Sequence, residues 1–100
     1  MRSMDAKARK ALATIRECVE DGRYLVLPHF RKRMARRGLV WPDMLAVLDD
    51  PDGVRSDGRD DWSRPKWVVN GTATDGLDVE MVCILDVDDD GDMTVFITVY

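Results

Sequence analysis

The sequence is poor in the residues that build disulfides and transition-metal sites. Its 100 residues include one histidine and two cysteines, Cys18 and Cys83, which are far apart and lack the CxxC or Cys/His spacing of a zinc site. Both cysteines fall on apolar stripes, which predicts two buried thiols in a reducing compartment. The acidic segment Asp86–Asp92 begins like a calcium loop, but Ile97 stands where that loop needs glutamate, and strands are expected around it. We therefore expect no metal and no cofactor.

Long hydrophobic runs are also missing. No segment approaches the roughly 20 apolar residues that cross a bilayer, and Met1–Lys10 has no apolar core of signal-peptide length. We therefore expect a cytoplasmic protein that does not enter membranes. A composition of 45% apolar and 34% charged residues is typical of a soluble globular protein, and the length predicts a single domain over residues 1–100.

The charges are unevenly distributed along the chain. Residues 1–37 contain 11 Lys and Arg against 4 Asp and Glu, whereas residues 38–100 contain 4 against 15. A basic half of this kind can present a positive face to a polyanion or to an acidic protein, although the net charge of -4 disfavours nonspecific nucleic-acid binding.

The hydrophobic period changes from helical to alternating in the middle of the chain. Apolar residues at helical spacing, with Gly22 and Gly38 as stops, come first, and alternating residues follow. The predicted helices are about 4–21, 29–37 and 42–50, and the predicted strands are about 67–74, 77–87 and 93–100. Helices followed by strands predict an α+β fold, in which N-terminal helices pack on a C-terminal, three- to four-stranded antiparallel sheet.

The connecting segments are predicted from turn residues. Tyr24–Leu27 is a short extended piece before Pro28, which suits the first turn of a helix. Val54–Pro65 is polar and is expected to be a loop, with at most a short edge strand at Val54-Arg55. Asp75-Gly76 and the segment Asp88–Asp92 are expected to be hairpin turns.

Alternation also predicts which side chains face the helices. In the middle strand, Leu77, Val79, Met81, Cys83, Leu85 and Val87 form one face, which we expect to contact the helices, while Asp78 and Glu80 point the other way. On the last strand, simple alternation places Thr98 and Tyr100 on the same side as Phe96.

The best constellation for chemistry surrounds the only histidine. His29, Arg33 and Arg36 can share one face of the second helix. RNA cleavage by its own 2'-hydroxyl needs a proton acceptor, a proton donor and a cation near the phosphate, and imidazole beside guanidinium supplies these groups. The alternative is a solvated basic helix in which His29 is a cap or packing residue.

A second set of candidates lies in the strand half. Trp62-Ser63-Arg64-Pro65-Lys66-Trp67 alternates aromatic and cationic residues, which can stack a base and hold its backbone. Alternatively, Trp67 is part of the core and Trp62 anchors a loop. Tyr100 can donate a proton or stack on a base, or it can close the core.

The run from His29 to Leu39, the short helix ending at Asp50-Pro51 and the final Ile97-Thr98-Val99-Tyr100 resemble an uncharacterised bacterial family of small domains. That family is similar in turn to the RelE-like and MqsR-like toxins, within the barnase, EndoU, colicin and RelE group of ribonucleases. The resemblance covers about residues 24–100. It implies helices against a curved antiparallel sheet, metal-independent endoribonuclease activity, and neutralisation by an antitoxin protein encoded nearby.

The leading hypothesis is therefore a toxin-like endoribonuclease of a type II toxin-antitoxin system that acts on RNA without a cofactor. The expected catalytic residues are His29, Arg33, Arg36, Lys66 and Tyr100. The expected RNA-binding residues are Arg37, Trp62, Arg64 and Thr98. The alternative is a noncatalytic protein-interaction module whose basic helical face docks an acidic partner.

Overall fold

The computed structural model describes residues 5–88 and 91–100. Its helices are α1 (Ala6–Glu20), α2 (Pro28–Arg36) and α3 (Trp41–Asp49). Its strands are β1 (Tyr24–Val26), β2 (Gly53–Arg59), β3 (Pro65–Thr72), β4 (Asp78–Asp88) and β5 (Gly91–Val99). The predicted α+β class, with helices packed on a sheet built mainly by the C-terminal half, is confirmed.

The sheet has five strands in the order β1-β5-β4-β3-β2, so the predicted number of three to four was too small. Strands β2 to β5 pair antiparallel, whereas β1 pairs parallel with β5, with Leu25 opposite Val95. The sheet is therefore mixed. A three-residue strand is too short to show a hydrophobic period. Tyr24–Val26 joins the sheet because its backbone hydrogen-bonds to the edge of β5 that β4 leaves unpaired.

Strand β2 occupies the first half of the segment predicted to be a loop. Val54 is buried against the core, but the residues from Arg55 to Arg59 are all exposed, so this edge strand has no apolar alternation. Pairing with β3 from Gly53 to Ser56 satisfies the backbone groups of β2 that face β3. A polar edge strand also discourages pairing with other chains.

Helix α1 ends, and helix α2 begins, at the residues that the sequence marks, whereas the cap that opens α1 was not predicted. The Asp5 carboxylate accepts a hydrogen bond from the Ala8 amide at 2.7 Å and so caps α1; the predicted start at Met4 lies outside the described residues. Gly22 follows α1 with a φ of +75°, which favours glycine. Pro28 opens α2. None of the helices in the described ranges is long and apolar enough to cross a membrane.

The hydrophobic core lies between the helices and one face of the sheet. Val79, Met81 and Cys83 of β4 are buried in it, as alternation predicts. Leu77 and Val87 are 39% and 72% exposed, because they lie beyond the part of β4 that the helices cover. We call the opposite side of the sheet, which the helices leave uncovered, the open face.

Aromatic rings join the helices to the last strand. Phe96 of β5 lies 5.3 Å from Trp41, 5.6 Å from Phe30 and 6.1 Å from Tyr24, measured between ring centroids. These edge-on contacts connect β1, α2 and α3 to the centre of the sheet. The position of α2 relative to the end of β5 is thereby fixed.

Both cysteines are free and buried, as predicted. Burial raises the pKa of the Cys83 thiol, so this group stays protonated and behaves as a small apolar residue.

Candidate functional site

Helix α2 is fastened to the sheet by Arg33 and by Arg37, the residue that follows its last turn. The Arg33 Nε donates to the Val99 carbonyl at 3.1 Å, and the Arg37 Nη2 donates to the Asp78 carbonyl at 2.8 Å. The Arg33 guanidinium carbon also lies 5.0 Å from the centroid of the Tyr100 ring. Two residues predicted from the sequence, Arg33 and Tyr100, are thus in direct contact, and Arg37 has a structural bond to the sheet.

His29 and Arg36 are exposed on the same helix. Across residues 5–88 and 91–100, neither side chain forms a hydrogen bond or an ion pair. His29 precedes Arg33 by four residues, so it lies one turn away, about 6 Å along the helix axis. Arg36 follows Arg33 by three residues, so helix geometry places both His29 and Arg36 next to Arg33. The Arg33–Tyr100 contact itself involves neither of them.

The last strand contains an irregularity that corrects the predicted side-chain directions. Cys83 pairs with Phe96, but the next residue, Val82, pairs with Thr98, so Ile97 is an extra residue that forms a β-bulge. Phe96 and Val99 both enter the core. Thr98 and Tyr100 consequently face the other side of the sheet, and the prediction that they share the side of Phe96 was wrong.

The bulge places Thr98 and Tyr100 in a cleft on the open face of about 330 Å³. Lys66 of β3 reaches this cleft as well, so three predicted residues line it together. The full lining is Arg55, Asp57, Lys66, Val68, Glu80, Val82, Ile97, Thr98 and Tyr100. We call it the β5 cleft.

Two ion pairs lie among the residues that line the β5 cleft. The Lys66 ammonium lies 3.8 Å from the Asp57 carboxylate, and the Arg55 guanidinium lies 3.4 Å from the Glu80 carboxylate. Sequence reasoning missed Arg55, although Val54-Arg55 was allowed as a short edge strand, because its contact with Glu80 depends on how β2 and β4 lie in the assembled sheet. The sequence placed Glu80 on the face away from the helices, but no signal marked it as functional.

A buried hydroxyl without a partner lies in the β5 cleft. Thr98 is 7% exposed, and its Oγ1 forms no hydrogen bond with any described residue. A buried polar group left unpaired costs about 1–3 kcal/mol. The Oγ1 atom has less than 1 Å² of exposed surface, so a ligand in the β5 cleft reaches it only after the Thr98 side chain rotates.

Trp62 and Arg64 lie elsewhere, in the turn between β2 and β3. The Arg64 Nε donates to Asp60 at 2.7 Å and its Nη1 donates to Asp86 at 3.0 Å. The pKa of Arg64 is raised because its side chain donates to Asp60 and Asp86. Arg64 therefore belongs to a structural ion-pair network, so of the two cations considered for the site only Lys66 is in the β5 cleft.

No group of three or more histidine, cysteine, aspartate or glutamate side chains in the described part of the chain is arranged to hold a metal ion. Of the predicted turn at Asp88–Asp92, Asp89 and Asp90 lie outside the described residues.

A family model described as "Domain of unknown function (DUF4258)" matches residues 26–100. The chain belongs to the DUF4258 family. The match covers three quarters of the chain and includes all of α2 and the whole β5 cleft, whereas α1 lies outside it. No match to the chain was found among curated proteins or among solved structures.

Proposed function

We propose that this DUF4258 protein is a toxin-like, metal-independent endoribonuclease that cleaves RNA at the β5 cleft. The observation that carries the proposal is the contact between the Arg33 guanidinium and the Tyr100 ring beside a cleft that contains Lys66 and the unpartnered Thr98 hydroxyl. Cations, an aromatic ring and a hydrogen-bonding hydroxyl from three separate elements suit a phosphodiester and its neighbouring base.

Arg33 is suited to the phosphate. Its Nε is held by Val99, while its two terminal nitrogens have no hydrogen-bond partner among residues 5–88 and 91–100. A guanidinium fixed at one nitrogen can present the other two to phosphate oxygens in a planar fork. Because it is held in place before RNA arrives, little side-chain entropy is lost on binding.

The ion pair of Lys66 does not prevent a role in phosphate binding. The Lys66–Asp57 separation is 3.8 Å, and the Asp57 side chain is 54% exposed. Pairs of this kind contribute about 0–1 kcal/mol. An RNA phosphate can therefore replace Asp57 as the partner of Lys66 at little cost.

Proton transfer is assigned to His29 and Glu80. One of them takes the proton from the 2'-hydroxyl, whose oxygen attacks the phosphorus, and the other protonates the departing 5'-oxygen. The P–O5' bond breaks as the new P–O2' bond forms, so the products are a 2',3'-cyclic phosphate and a 5'-hydroxyl. Tyr100 stacks on a base and orients the strand.

The test is cleavage of a mixed-sequence RNA by purified protein in EDTA. We expect Arg33→Ala and Lys66→Ala each to reduce the cleavage rate by about 100-fold or more, the usual effect of removing a group that stabilises transition-state charge. The matched control is Lys32→Ala, which removes an equal charge from an exposed position on α2 and should cleave normally. Equal rates for all four proteins would refute the site.

A noncatalytic interaction module is the second candidate, and the solvent-facing cations of α2 favour it. Arg31, Lys32 and Arg36 are all exposed, so they can contact an acidic protein such as an antitoxin encoded nearby. In the nuclease proposal, the protein acts in the cytoplasm, where its RNA substrate and that antitoxin are present. A stable complex with the neighbouring gene product, with no cleavage of any RNA and no growth defect on expression, would instead support the interaction module.

A further inference from the structure

A second cleft on the open face lies beside the β5 cleft. It has a volume of about 450 Å³ and is lined by Trp62, Arg64 and Asp86. Asp86 is two residues along β4 from Ile84, which pairs with Lys66. The two positions are therefore about 7 Å apart along the strand, a distance that one nucleotide of a bound strand can bridge.

Trp62 is displayed to solvent by a rigid turn. Its side chain is 75% exposed, although burial would stabilise a tryptophan more than almost any other residue. The Asp60 carboxylate accepts hydrogen bonds from the Trp62 and Arg64 amides at 3.0 and 2.8 Å, and Ser63 has a φ of +59°. The turn thus holds the ring outward before any ligand binds, which lowers the entropic cost of stacking.

Arg64 contacts both Trp62 and Asp86, the other two residues of this cleft. Its guanidinium lies 5.4 Å from the Trp62 ring centroid and donates to Asp86 Oδ2. Asp60 and Asp86 both form ion pairs with Arg64. Its positive charge is therefore already neutralised and does not favour a phosphate. The cleft therefore suits an uncharged, flat group better than it suits an anion.

Asp86 supplies hydrogen-bond acceptors at the edge of that flat group. One oxygen accepts from Arg64 and the other from the Val87 amide, which leaves each oxygen a second acceptor position. The carboxylate is 38% exposed. Two adjacent acceptors need two adjacent donors, and among the four RNA bases only guanine presents these, at N1 and the N2 amino group.

We propose that the cleft formed by Trp62, Arg64 and Asp86 binds a guanine base, which stacks on Trp62 and donates two hydrogen bonds to Asp86. The inference rests on the proposed function in so far as the base belongs to an RNA substrate. In that case the enzyme prefers RNA that has a guanine next to the cleaved phosphate.

The test is titration of the protein with the 5'-monophosphates of guanosine, adenosine, cytidine and uridine, followed by NMR of the tryptophan indole N–H groups. We expect guanosine monophosphate to shift the Trp62 signal and to bind at least tenfold more tightly than the others, since a good bidentate contact to a base gives about that discrimination. Trp62→Ala should abolish the preference for guanosine monophosphate, because any binding that remains is of the phosphate in the β5 cleft, which does not contact the base.

Asp86→Asn should remove the preference by weakening guanosine monophosphate alone, because it replaces one acceptor by a donor. The control is Asp61→Asn, which removes an equal charge from the exposed residue next to Trp62 and should leave the preference intact. Equal affinity for four nucleotides, or a preference that survives Asp86→Asn, overturns the inference. A Trp62 signal that no nucleotide shifts also overturns it, and would leave the ring as a contact for a protein partner.

This result is separable from that for the proposed function. RNA cleavage without any guanine preference would refute the base site alone. Guanosine monophosphate bound at Trp62 by a protein that cleaves no RNA would refute the nuclease and keep the base site.

Discussion

Replacing Thr98 by valine should stabilise the protein. The hydroxyl is buried without a hydrogen-bond partner, and such a group costs about 1–3 kcal/mol, whereas a methyl group of the same shape costs nothing to bury. We expect Thr98→Val to raise the free energy of unfolding by about 1 kcal/mol. For a domain of this size, each kcal/mol raises the midpoint of thermal unfolding by about 4–8 °C, a shift that calorimetry or circular dichroism resolves.

The chain contains a matched control in Thr94. Its Oγ1 is also buried and unpartnered, and Thr94 lies on the same strand. Its backbone partner Leu85 packs against the core, so the Thr94 side chain is on the helix-covered face. Thr94→Val should therefore give a similar gain in stability without any effect on RNA.

Activity separates the two variants. A hydrogen bond from Thr98 to a phosphate oxygen would be charge-assisted and worth about 1.5–3 kcal/mol, so Thr98→Val should lose about 10- to 100-fold in RNA cleavage. A lower midpoint for Thr98→Val with a higher one for Thr94→Val would mean that the Thr98 hydroxyl is hydrogen-bonded in the folded protein. Equal cleavage by both variants would remove the hydroxyl from the site.

Three further predictions concern acid stability, the bulge and salt. The Thr74 hydroxyl and the Val40 amide donate hydrogen bonds to Asp43 and lower the pKa of its carboxyl group. The contribution of Asp43 to stability is therefore present above about pH 4 and is lost as the pH falls through the lower pKa of the folded state. Asp43→Asn should flatten that part of the acid unfolding curve, and an unchanged curve would contradict the assignment. Deleting Ile97 should leave the fold intact, because Thr98 then follows Phe96 by regular alternation; loss of folding would refute the bulge. The logarithm of RNA affinity should fall with the logarithm of salt concentration, and Arg33→Ala should reduce that slope by about 0.7, the value for one phosphate contact on single-stranded nucleic acid; an unchanged slope would mean that Arg33 contacts no phosphate.

Local signals in the sequence were enough to predict the helices and the class of the fold. Gly22 and Pro28 act through backbone angles within a few residues, so their effect can be predicted without knowing which segments they pack against. Strand β2 has one buried residue and a polar remainder. Its pairing depends on the unpaired backbone of β3, which is a property of the assembled sheet that no local period reports.

Of the candidate site, only the features set by local spacing could be predicted from the sequence. Helical spacing correctly put His29 and Arg33 on neighbouring turns, but the contact of Arg33 with Tyr100 requires α2 to lie along the end of β5. The direction of Thr98 depends on Ile97, and one extra residue in a strand reverses the direction of every side chain after it. Alternation alone could not reveal that reversal.

The arrangement of charges indicates how the proposed site could hold a phosphate on an acidic chain. In the β5 cleft Lys66 and Arg55 each face a carboxylate, so these pairs add little net potential. Arg33 differs, because its partners are the carbonyl of Val99 and the ring of Tyr100, which carry no charge that could cancel its own. The positive potential that these side chains give the site therefore comes mainly from Arg33, and phosphate binding should depend on Arg33 more than on Lys66.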